Sequence, residues 1–321
     1  MDNLTHSMIG AALGQAGLKR LSGLGMPTLI IAANIPDLDA ACTVYGIQSL
    51  EMRRGLTHGP IAMLVLPVLL TAIMIGFDRW QARRGKRPEA RAPVRPWHLL
   101  LLAFIGTLSH PAFDWLNNYG VRLLEPFAST WYHGDSIFII DVWMWAALIG
   151  GYLWSRAAER RGGDWRRRGA ILLTGLSAYI LGNGVLTGVA EARTAEWVRA
   201  TYGITPELVV ASPMPLAFWQ REMLWRGEGQ RGRRVVNMAA GVLPGVFATE
   251  TSGPAPIGMD DPRIAVAAQR DPEVRAFLFW SRMPFAEAQP DGSIVIGDQR
   301  FGNDAVRSRF SVRIAPDGAA E

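Results

Sequence analysis

Four apolar runs within the first 190 residues constrain what this chain can fold into. They are Ile61–Phe77, Trp97–Trp115, Ile137–Trp154 and Ala170–Ala190. Since a helix of about 20 apolar residues crosses the hydrocarbon core of a bilayer, we predict a transmembrane helix at each run. Two shorter runs, Leu4–Leu18 and Leu24–Ile35, precede them. We predict that these form a pair of short or half-embedded helices.

The last third of the chain has a different pattern. Short segments rich in β-branched residues alternate with turn signals, as in a small soluble domain. We predict strands at Glu207–Ala211, Arg234–Ala239, Ser293–Gly297 and Arg309–Ile314, and short helices at Arg221–Trp225 and Pro272–Trp280. Hydrophobic residues make up 49% of the whole chain and charged residues 19%. The fold class expected is therefore mainly α: a polytopic membrane helical bundle over residues 1–190, followed by a small α+β soluble domain over residues 191–321.

The basic residues predict the orientation in the membrane. The excess of positive charge lies in residues 1–191, which carry 18 Lys and Arg against 13 Asp and Glu, whereas residues 192–321 carry 15 of each. Loops 79–95 and 156–168 hold most of the excess. Because cytoplasmic loops are enriched in Lys and Arg, we assign both loops to the cytoplasm and the C-terminal domain to the outer face. The charge is thus a topology signal, and we expect no nucleic-acid partner.

One apolar run contains ionisable residues. The sequence Thr107–Trp115 reads TLSHPAFDW, which places His110 and Asp114 four residues apart. Residues at this spacing share one face of a helix, and ionisable groups at membrane depth usually face a polar cavity or a partner. One interpretation is a metal-ligating pair. The alternative is a structural histidine at a helix end, satisfied by the neighbouring carboxylate.

The predicted topology places further histidines and carboxylates on the same outer face. This set contains four of the five histidines of the chain. Its members are His6, Asp37, Asp39, His58, His110, Asp114, His133 and Asp135. His98 lies at the opposite end of its predicted span and is treated as a bystander. Asp141 interrupts the next run and is either a further ligand or the start of a proton path.

Imidazole and carboxylate are the ligands of zinc and similar divalent ions when no thiolate is present. Cys42 is the only cysteine, so neither a cysteine-based metal site nor an internal disulfide can form. Eight potential ligands exceed one tetrahedral shell and favour two or three ions, with zinc expected and manganese as the second choice. Such a centre can activate water and clamp a phosphoester. No serine-nucleophile elbow or phosphate-binding loop motif is present.

The pattern H6…NIPDLD…RGLTHG…SHPAFDW…HGDSIFIID resembles the membrane-bound, metal-dependent hydrolases of the LexA-regulated, YdjM-like family over residues 1–190. That family is similar to the zinc-dependent phospholipase C and single-strand nuclease fold, an all-helical trimetal scaffold. The resemblance implies metal ligation by His6, Asp37 or Asp39, His58, His110 and Asp114. The soluble relatives also use an N-terminal amine on a Trp and a later H-x-x-x-E/D. This chain departs from both, since it starts Met-Asp-Asn and offers His133 with Asp135 or Asp141.

Two functions follow as hypotheses. The first is an integral protein of the bacterial inner membrane that cleaves a phosphoester with a metal-activated water. Its substrate would be a membrane lipid or lipid-linked envelope intermediate, and Asp37, Asp39 and His58 would serve catalysis as well as metal binding. The second is a non-enzymatic membrane protein that binds or transports a metal. A transporter should carry polar residues through several spans at the midplane, whereas the ionisable groups here lie at one end, which favours the hydrolase.

The topology can be tested with reporter fusions. A reporter that is active only in the cytoplasm should be active after Arg87 and inactive after Gly253, because the basic loops carry the charge excess. Activity of this reporter after Gly253 would contradict an outer-face C-terminal domain.

Overall fold

The chain divides into two units, and one helix, α7 (Trp165–Tyr202), has residues in both. The computed structural model describes residues 1–302 and 307–316. The first unit comprises Met1–Leu38 with Arg54–Asn183, and the second comprises Asp39–Arg53 with Gly184–Glu321. The boundary between domains expected at residues 190 and 191 falls inside α7, and it stays a prediction.

Helices form most of the first unit. The helices of both units, in chain order, are α1 (Asn3–Gln15), α2 (Gly25–Ala32), α3 (Ser49–Met52), α4 (Pro60–Arg83), α5 (Pro96–Trp115), α6 (Val142–Arg160), α7 (Trp165–Tyr202), α8 (Pro262–Arg270) and α9 (Pro272–Trp280). Of these, α3, α8 and α9 belong to the second unit. A 3₁₀ segment, Ile35–Gln48, follows α2 and is kinked at Gly46. The apolar core of this unit includes Ile9, Met144 and Leu148. The chain is therefore helical at both predicted short runs and at all four long ones.

Two of these helices could span a membrane. Among the described residues, α4 and α7 are long and apolar enough to cross a bilayer, and most of their side chains are not buried by the protein. Helices α5 and α6 lie at the other two predicted spans and do not meet the same combined criterion of length, hydropathy and charge. Asp141 caps α6 through a 2.8 Å hydrogen bond from the Met144 N–H, so this helix begins at Val142 and not at Ile137. About half of the chain is helical, whereas four membrane crossings stay a proposal.

Two glycines allow α2 to lie directly against α1 and α5. A Cβ at Gly10 on α1 would come within 2.6 Å of the Leu29 carbonyl oxygen, and one at Gly106 on α5 within 2.6 Å of Ala32 Cβ. Larger residues would push the helices apart, because these contacts are shorter than side chains tolerate. His6 precedes Gly10 by four residues and His110 follows Gly106 by four, about one helical turn in each case. The close packing therefore brings both histidines to the C-terminal end of α2.

The second unit contains two antiparallel sheets. One has the order β1-β2-β3-β4, and the other has the order β5-β6-β7. Their strands are β1 (Leu208–Pro213), β2 (Gln220–Gly227), β3 (Gln230–Asn237), β4 (Thr251–Pro256), β5 (Pro284–Ala288), β6 (Ile294–Asp298) and β7 (Ser311–Ile314). The four predicted strands correspond to β1, β3, β6 and β7, and the predicted helix Pro272–Trp280 is α9. The α+β character of this region is thus present in the structure.

The predicted helix at Arg221–Trp225 is wrong, because this segment lies inside β2. Strand β2 pairs with β1 on one side and β3 on the other, so tertiary pairing decides its conformation. The turn to β3 consists of Glu228 and Gly229, both with positive φ, at 51° and 71°. Two such residues form the tight turn that suits a β-hairpin. The Glu-Gly pair was the sequence signal for this hairpin.

A buried ion pair stabilises the second unit. Asp298 accepts hydrogen bonds from Arg300 Nε and Nη2, both at 2.9 Å, and from Ser281 Oγ at 2.6 Å. Burial by itself would raise the pKa of Asp298, but the Arg300 guanidinium and these hydrogen bonds lower it to about 2. The carboxylate is therefore ionised at every physiological pH.

This pair predicts acid sensitivity of the second unit. The pKa of Asp298 in the folded chain lies below its value of about 4 in an unfolded chain. The ionised carboxylate therefore adds about 2 kcal/mol to the free energy of unfolding above about pH 4, and this contribution is lost as the pH falls toward 2. In Asp298→Asn, this pH dependence of the unfolding free energy should disappear. The variant should also be less stable at neutral pH, since the buried Arg300 loses its counter-charge.

Urea titrations of the full chain in detergent, followed by tryptophan fluorescence at several pH values, would measure both effects. An identical acid dependence in wild type and Asp298→Asn would contradict this role of the pair.

Candidate metal centre

Four metal-ligating side chains converge beside the C-terminal end of α2. Asp37, His58, His110 and Asp114 each offer one nitrogen or oxygen atom, and these atoms all lie within 4.8 Å of one another. Asp37 lies on the 3₁₀ segment after α2, His58 two residues before α4, and the other two near the end of α5. His58, His110 and Asp114 are buried, whereas Asp37 is partly exposed.

The α5 pair shares one helical face, as its spacing predicts. His110 Nε2 lies 3.5 Å from the nearer Asp114 oxygen, Oδ2. The same nitrogen lies 3.1 Å from His58 Nε2 and 3.5 Å from Asp37 Oδ1. His110 is therefore part of a group of four, which argues against an isolated His–Asp pair at a helix end.

The spacing of the four atoms suits a tetrahedral ion. Two ligands that are each about 2.1 Å from zinc at tetrahedral corners lie about 3.4 Å apart. The separations around His110 are 3.1 to 3.5 Å, and His58 Nε2 lies 3.3 Å from Asp114 Oδ2. The atoms of His58, His110 and Asp114 are thus near the positions that one divalent cation requires, and the Asp37 atom lies within 4.8 Å of each of them.

One buried oxygen of this group is surrounded by polar nitrogens that are poorly aligned with it. Asp114 Oδ2 lies 3.1 Å from Arg54 Nε, but within the described part of the chain no donor meets it with good hydrogen-bond geometry. A buried carboxylate oxygen that is held by charge without a well-aligned hydrogen bond can still gain from a further cation. This oxygen faces both histidine nitrogens, so a cation bound there would satisfy it.

Neighbouring groups orient the two imidazoles. His110 Nδ1 lies 2.7 Å from the Ala33 carbonyl oxygen, and His58 Nδ1 lies 2.9 Å from Thr57 Oγ1. When Nδ1–H donates to a carbonyl, Nε2 keeps its lone pair for a metal. At His110 the carbonyl can only accept, so Nδ1 carries a hydrogen, and Nε2 is the nitrogen that would bind a metal once its own proton is displaced.

Arg54 was not recognised as part of the site from the sequence. It is buried, and its Nε lies 3.1 Å from Asp114 Oδ2. Its Nη1 donates to Asn117 Oδ1 at 3.1 Å and to the Gly120 carbonyl at 3.2 Å. Its position within RGLTHG, four residues before His58, was the signal that could have indicated this role. Arg54 therefore ties the loop after α5 to the Asp114 carboxylate.

His6 lies against the group on the other side of Asp114. Its ring stacks on His110 with 3.7 Å between centroids, and its Nε2 lies 3.3 Å from Asp114 Oδ1. The Met1 amino group also contacts this oxygen. The two oxygens of Asp114 therefore face different partners: Oδ2 faces His58 and His110, and Oδ1 faces His6.

Asp37 is ionised in this environment. Partial burial acts to raise the pKa of Asp37, but a hydrogen bond to His110 and the charge of that ring lower it below its ordinary value. A carboxylate rather than a carboxylic acid thus faces the histidines, as metal ligation requires.

Three other predicted ligands are not in the group of four. Asp39 belongs to the second unit. Asp135 is buried, with a positive φ of 48°. The ring of His133 lies so close to Gly120 that a Cβ there would collide with it. Their roles as ligands stay predictions.

Asp141 has a structural function that explains its burial. One of its oxygens caps α6, and the other accepts a 2.9 Å hydrogen bond from the Tyr179 hydroxyl. The carboxylate is therefore occupied by the helix end and by α7. This arrangement favours neither of the two roles left open for Asp141, metal ligand or start of a proton path.

These residues lie in the region that identifies the family. The family model described as YdjM inner membrane protein matches residues 1–190. The chain belongs to the YdjM inner membrane protein family. This confirms the resemblance to the YdjM-like family, whereas the relationship to metal-dependent hydrolases stays a prediction. Comparisons with curated proteins and with solved structures found no match.

Metal binding by this YdjM family protein can be tested directly. The purified, metal-stripped protein should bind at least one equivalent of Zn²⁺, and His58→Ala should lower its affinity about 100-fold because it removes a ligand. Isothermal titration in detergent would measure this. His98→Ala, which changes a histidine at the other end of α5, is the matched control and should keep the affinity within a few-fold. A similar loss in both variants would contradict metal binding by the group of four.

Proposed function

We propose that this YdjM family member is an integral-membrane, metal-dependent hydrolase that cleaves a phosphoester, with a membrane lipid or lipid-linked intermediate as substrate. The observation that carries the proposal is the convergence of Asp37, His58, His110 and Asp114 within 4.8 Å. Zinc is the expected ion and manganese the second choice, because the ligands are imidazoles and carboxylates.

When bound, a divalent ion would supply an activated water and stabilise charge on the phosphoryl oxygens. His58, His110 and Asp114 would hold it. Asp37 is the least buried of the four, with its side chain 9% exposed. Because it is ionised and reaches the surface of the group, we assign it a second role as the base that accepts a proton from water.

Asp114 is suited to bridge two ions. Its Oδ2 faces His58 and His110 at 3.3 and 3.5 Å, and its Oδ1 faces His6 at 3.3 Å. A carboxylate between two ligand sets is the usual arrangement in centres with two ions. We therefore propose one ion at the group of four and a second on the His6 side.

A non-enzymatic metal site is the second candidate. The observation that favours it is the nearly complete burial of three ligands, which is typical of closed structural sites. Against transport, His110 and Asp114 lie within the last six residues of α5, and His58 lies just before α4. The ligands are thus at one end of their helices rather than along them. Activity measurements decide between the two functions.

We also propose a location and an orientation. Membership of an inner membrane protein family and the two apolar helices support an inner-membrane location. The proposed orientation places loops 79–95 and 156–168 in the cytoplasm, and the metal group and the C-terminal region on the outer face.

Variants of α5 test the hydrolase. His110→Ala and Asp114→Asn should each abolish chelator-sensitive hydrolysis of a chromogenic phosphodiester, and the double variant should be no worse, because either change dismantles the same shell. His98→Ala is the matched control on the same helix, about 18 Å from His110, and should keep wild-type activity. Full activity in folded His110→Ala would refute the proposal.

Asp114→Asn is preferred to Asp114→Ala for a physical reason. Asp114 balances the charge of the buried Arg54, 3.1 Å away, and removal of one partner of a buried pair costs about 3–5 kcal/mol. Thermal unfolding in detergent, measured beside activity, separates loss of folding from loss of chemistry.

A further inference from the structure

Exposed apolar side chains lie on two loops beside the metal group. Leu56 is two residues before His58 and is 64% exposed. Phe127 is 74% exposed, and Leu124 is also exposed. The three residues belong to the first unit, and they form what we call the apolar lip: Leu56, Leu124 and Phe127. Large apolar side chains exposed on adjoining loops indicate a candidate binding surface.

Ordered contacts hold the two loops of the lip together. The Arg122 N–H donates to the Arg54 carbonyl oxygen at 2.8 Å, and the backbone of Glu125 packs against Gly59. The Phe127 N–H donates to the Leu124 carbonyl at 2.7 Å, closing a turn. The exposure of the lip is therefore a feature of a folded segment that adjoins His58.

Charge does not oppose contact of the lip with lipid. The segment from Val121 to Thr130 has two charged residues, Arg122 and Glu125, and their side chains pair with each other at 2.9 Å. A paired and partly buried couple costs less to bring to an interface than two separate charges. The exposed residues of this loop are thus uncharged: Leu124, Pro126 and Phe127 are apolar, and Ser129 and Thr130 carry hydroxyl groups.

The lip continues the lipid-facing surface of a candidate membrane helix. Helix α4 begins at Pro60, directly after His58 and Gly59, and its first turns expose Ile61, Leu64 and Val65. Helix α4 has 24 residues, a length of about 36 Å. This exceeds the hydrocarbon thickness of about 30 Å, so a spanning α4 would place its ends near the lipid headgroups. The metal group, next to the N-terminal end of α4, would then lie near the depth of the lipid phosphates.

We propose that the apolar lip inserts among the acyl chains of the adjoining leaflet and presents the phosphoester of a bilayer lipid to the metal group. This inference rests on the proposed function and narrows the substrate to a lipid that is cleaved while it stays in the membrane. The position of the lip determines which molecules reach the ligands, and it adds no chemistry of its own.

The insertion itself can be measured without any hydrolysis. A fluorescent NBD group is attached at Phe127→Cys in a Cys42→Ser background, and the full chain is reconstituted in vesicles of phosphatidylethanolamine and phosphatidylglycerol. Nitroxide-labelled lipids should quench it strongly. The matched control is NBD at Val266→Cys, an exposed apolar position on α8, which should be quenched little. Equal, weak quenching at both positions, as expected if water or a protein partner covers the lip, would overturn the proposal.

Kinetics provide the second test. In the double variant Leu124→Ser with Phe127→Ser, hydrolysis of vesicle phospholipid should fall about tenfold because the apolar contact with the bilayer is lost. Hydrolysis of a soluble chromogenic phosphodiester and Zn²⁺ binding should stay at wild-type levels, and Val266→Ser should change neither substrate. Equal losses on both substrates would overturn the lip as a lipid-recognition element.

The two proposals can fail separately. If the wild type hydrolyses neither substrate, the proposed function fails, and the quenching experiment still decides whether the lip inserts. If the wild type hydrolyses only the soluble substrate, the hydrolase stands and the lipid substrate is refuted.

Discussion

The buried carboxylate of Asp114 is the constraint on which the centre of this protein depends. It lies at the end of an apolar helix with almost no solvent contact, where an unbalanced charge would be very costly. Arg54, His6, His58, His110 and the Met1 amino group surround it. Contacts from several segments of the chain are thus needed to make one charge tolerable, and the same contacts assemble a set of metal ligands.

Close helix packing makes this arrangement possible. Gly10 and Gly106 let α1 and α5 approach the backbone of α2, and their contacts lie about one turn from His6 and His110. The Ala33 carbonyl at the end of α2 then reaches the His110 ring at 2.7 Å. The packing of small residues therefore determines the orientation of the imidazole, and the chemistry of the site depends on residues that carry no functional group.

Parts of the site followed from local sequence rules, and others did not. The spacing of His110 and Asp114 predicted one helical face because helical periodicity is local. Arg54 escaped notice because its role comes from contacts with residues 60 or more positions away. The role of Asp141 could not be predicted, since an aspartate at the start of an apolar helix can equally well ligate a metal, begin a proton path or cap the helix. Arg221–Trp225 was assigned to a helix because pairing with two neighbouring strands is a long-range effect.

The sequence by itself determined that the chain has a helical, apolar first part and a mixed second part, because periodicity and turn residues act over short distances. It also determined the chemical type of the candidate site, since histidines and carboxylates with one cysteine leave few choices of ligand. Only the tertiary structure decided which of the eight candidate ligands meet. The ligand atoms of four of them lie within 4.8 Å of one another because α2, α5 and the segment before α4 end at the same place. A linear sequence does not directly encode the distances between these three ends.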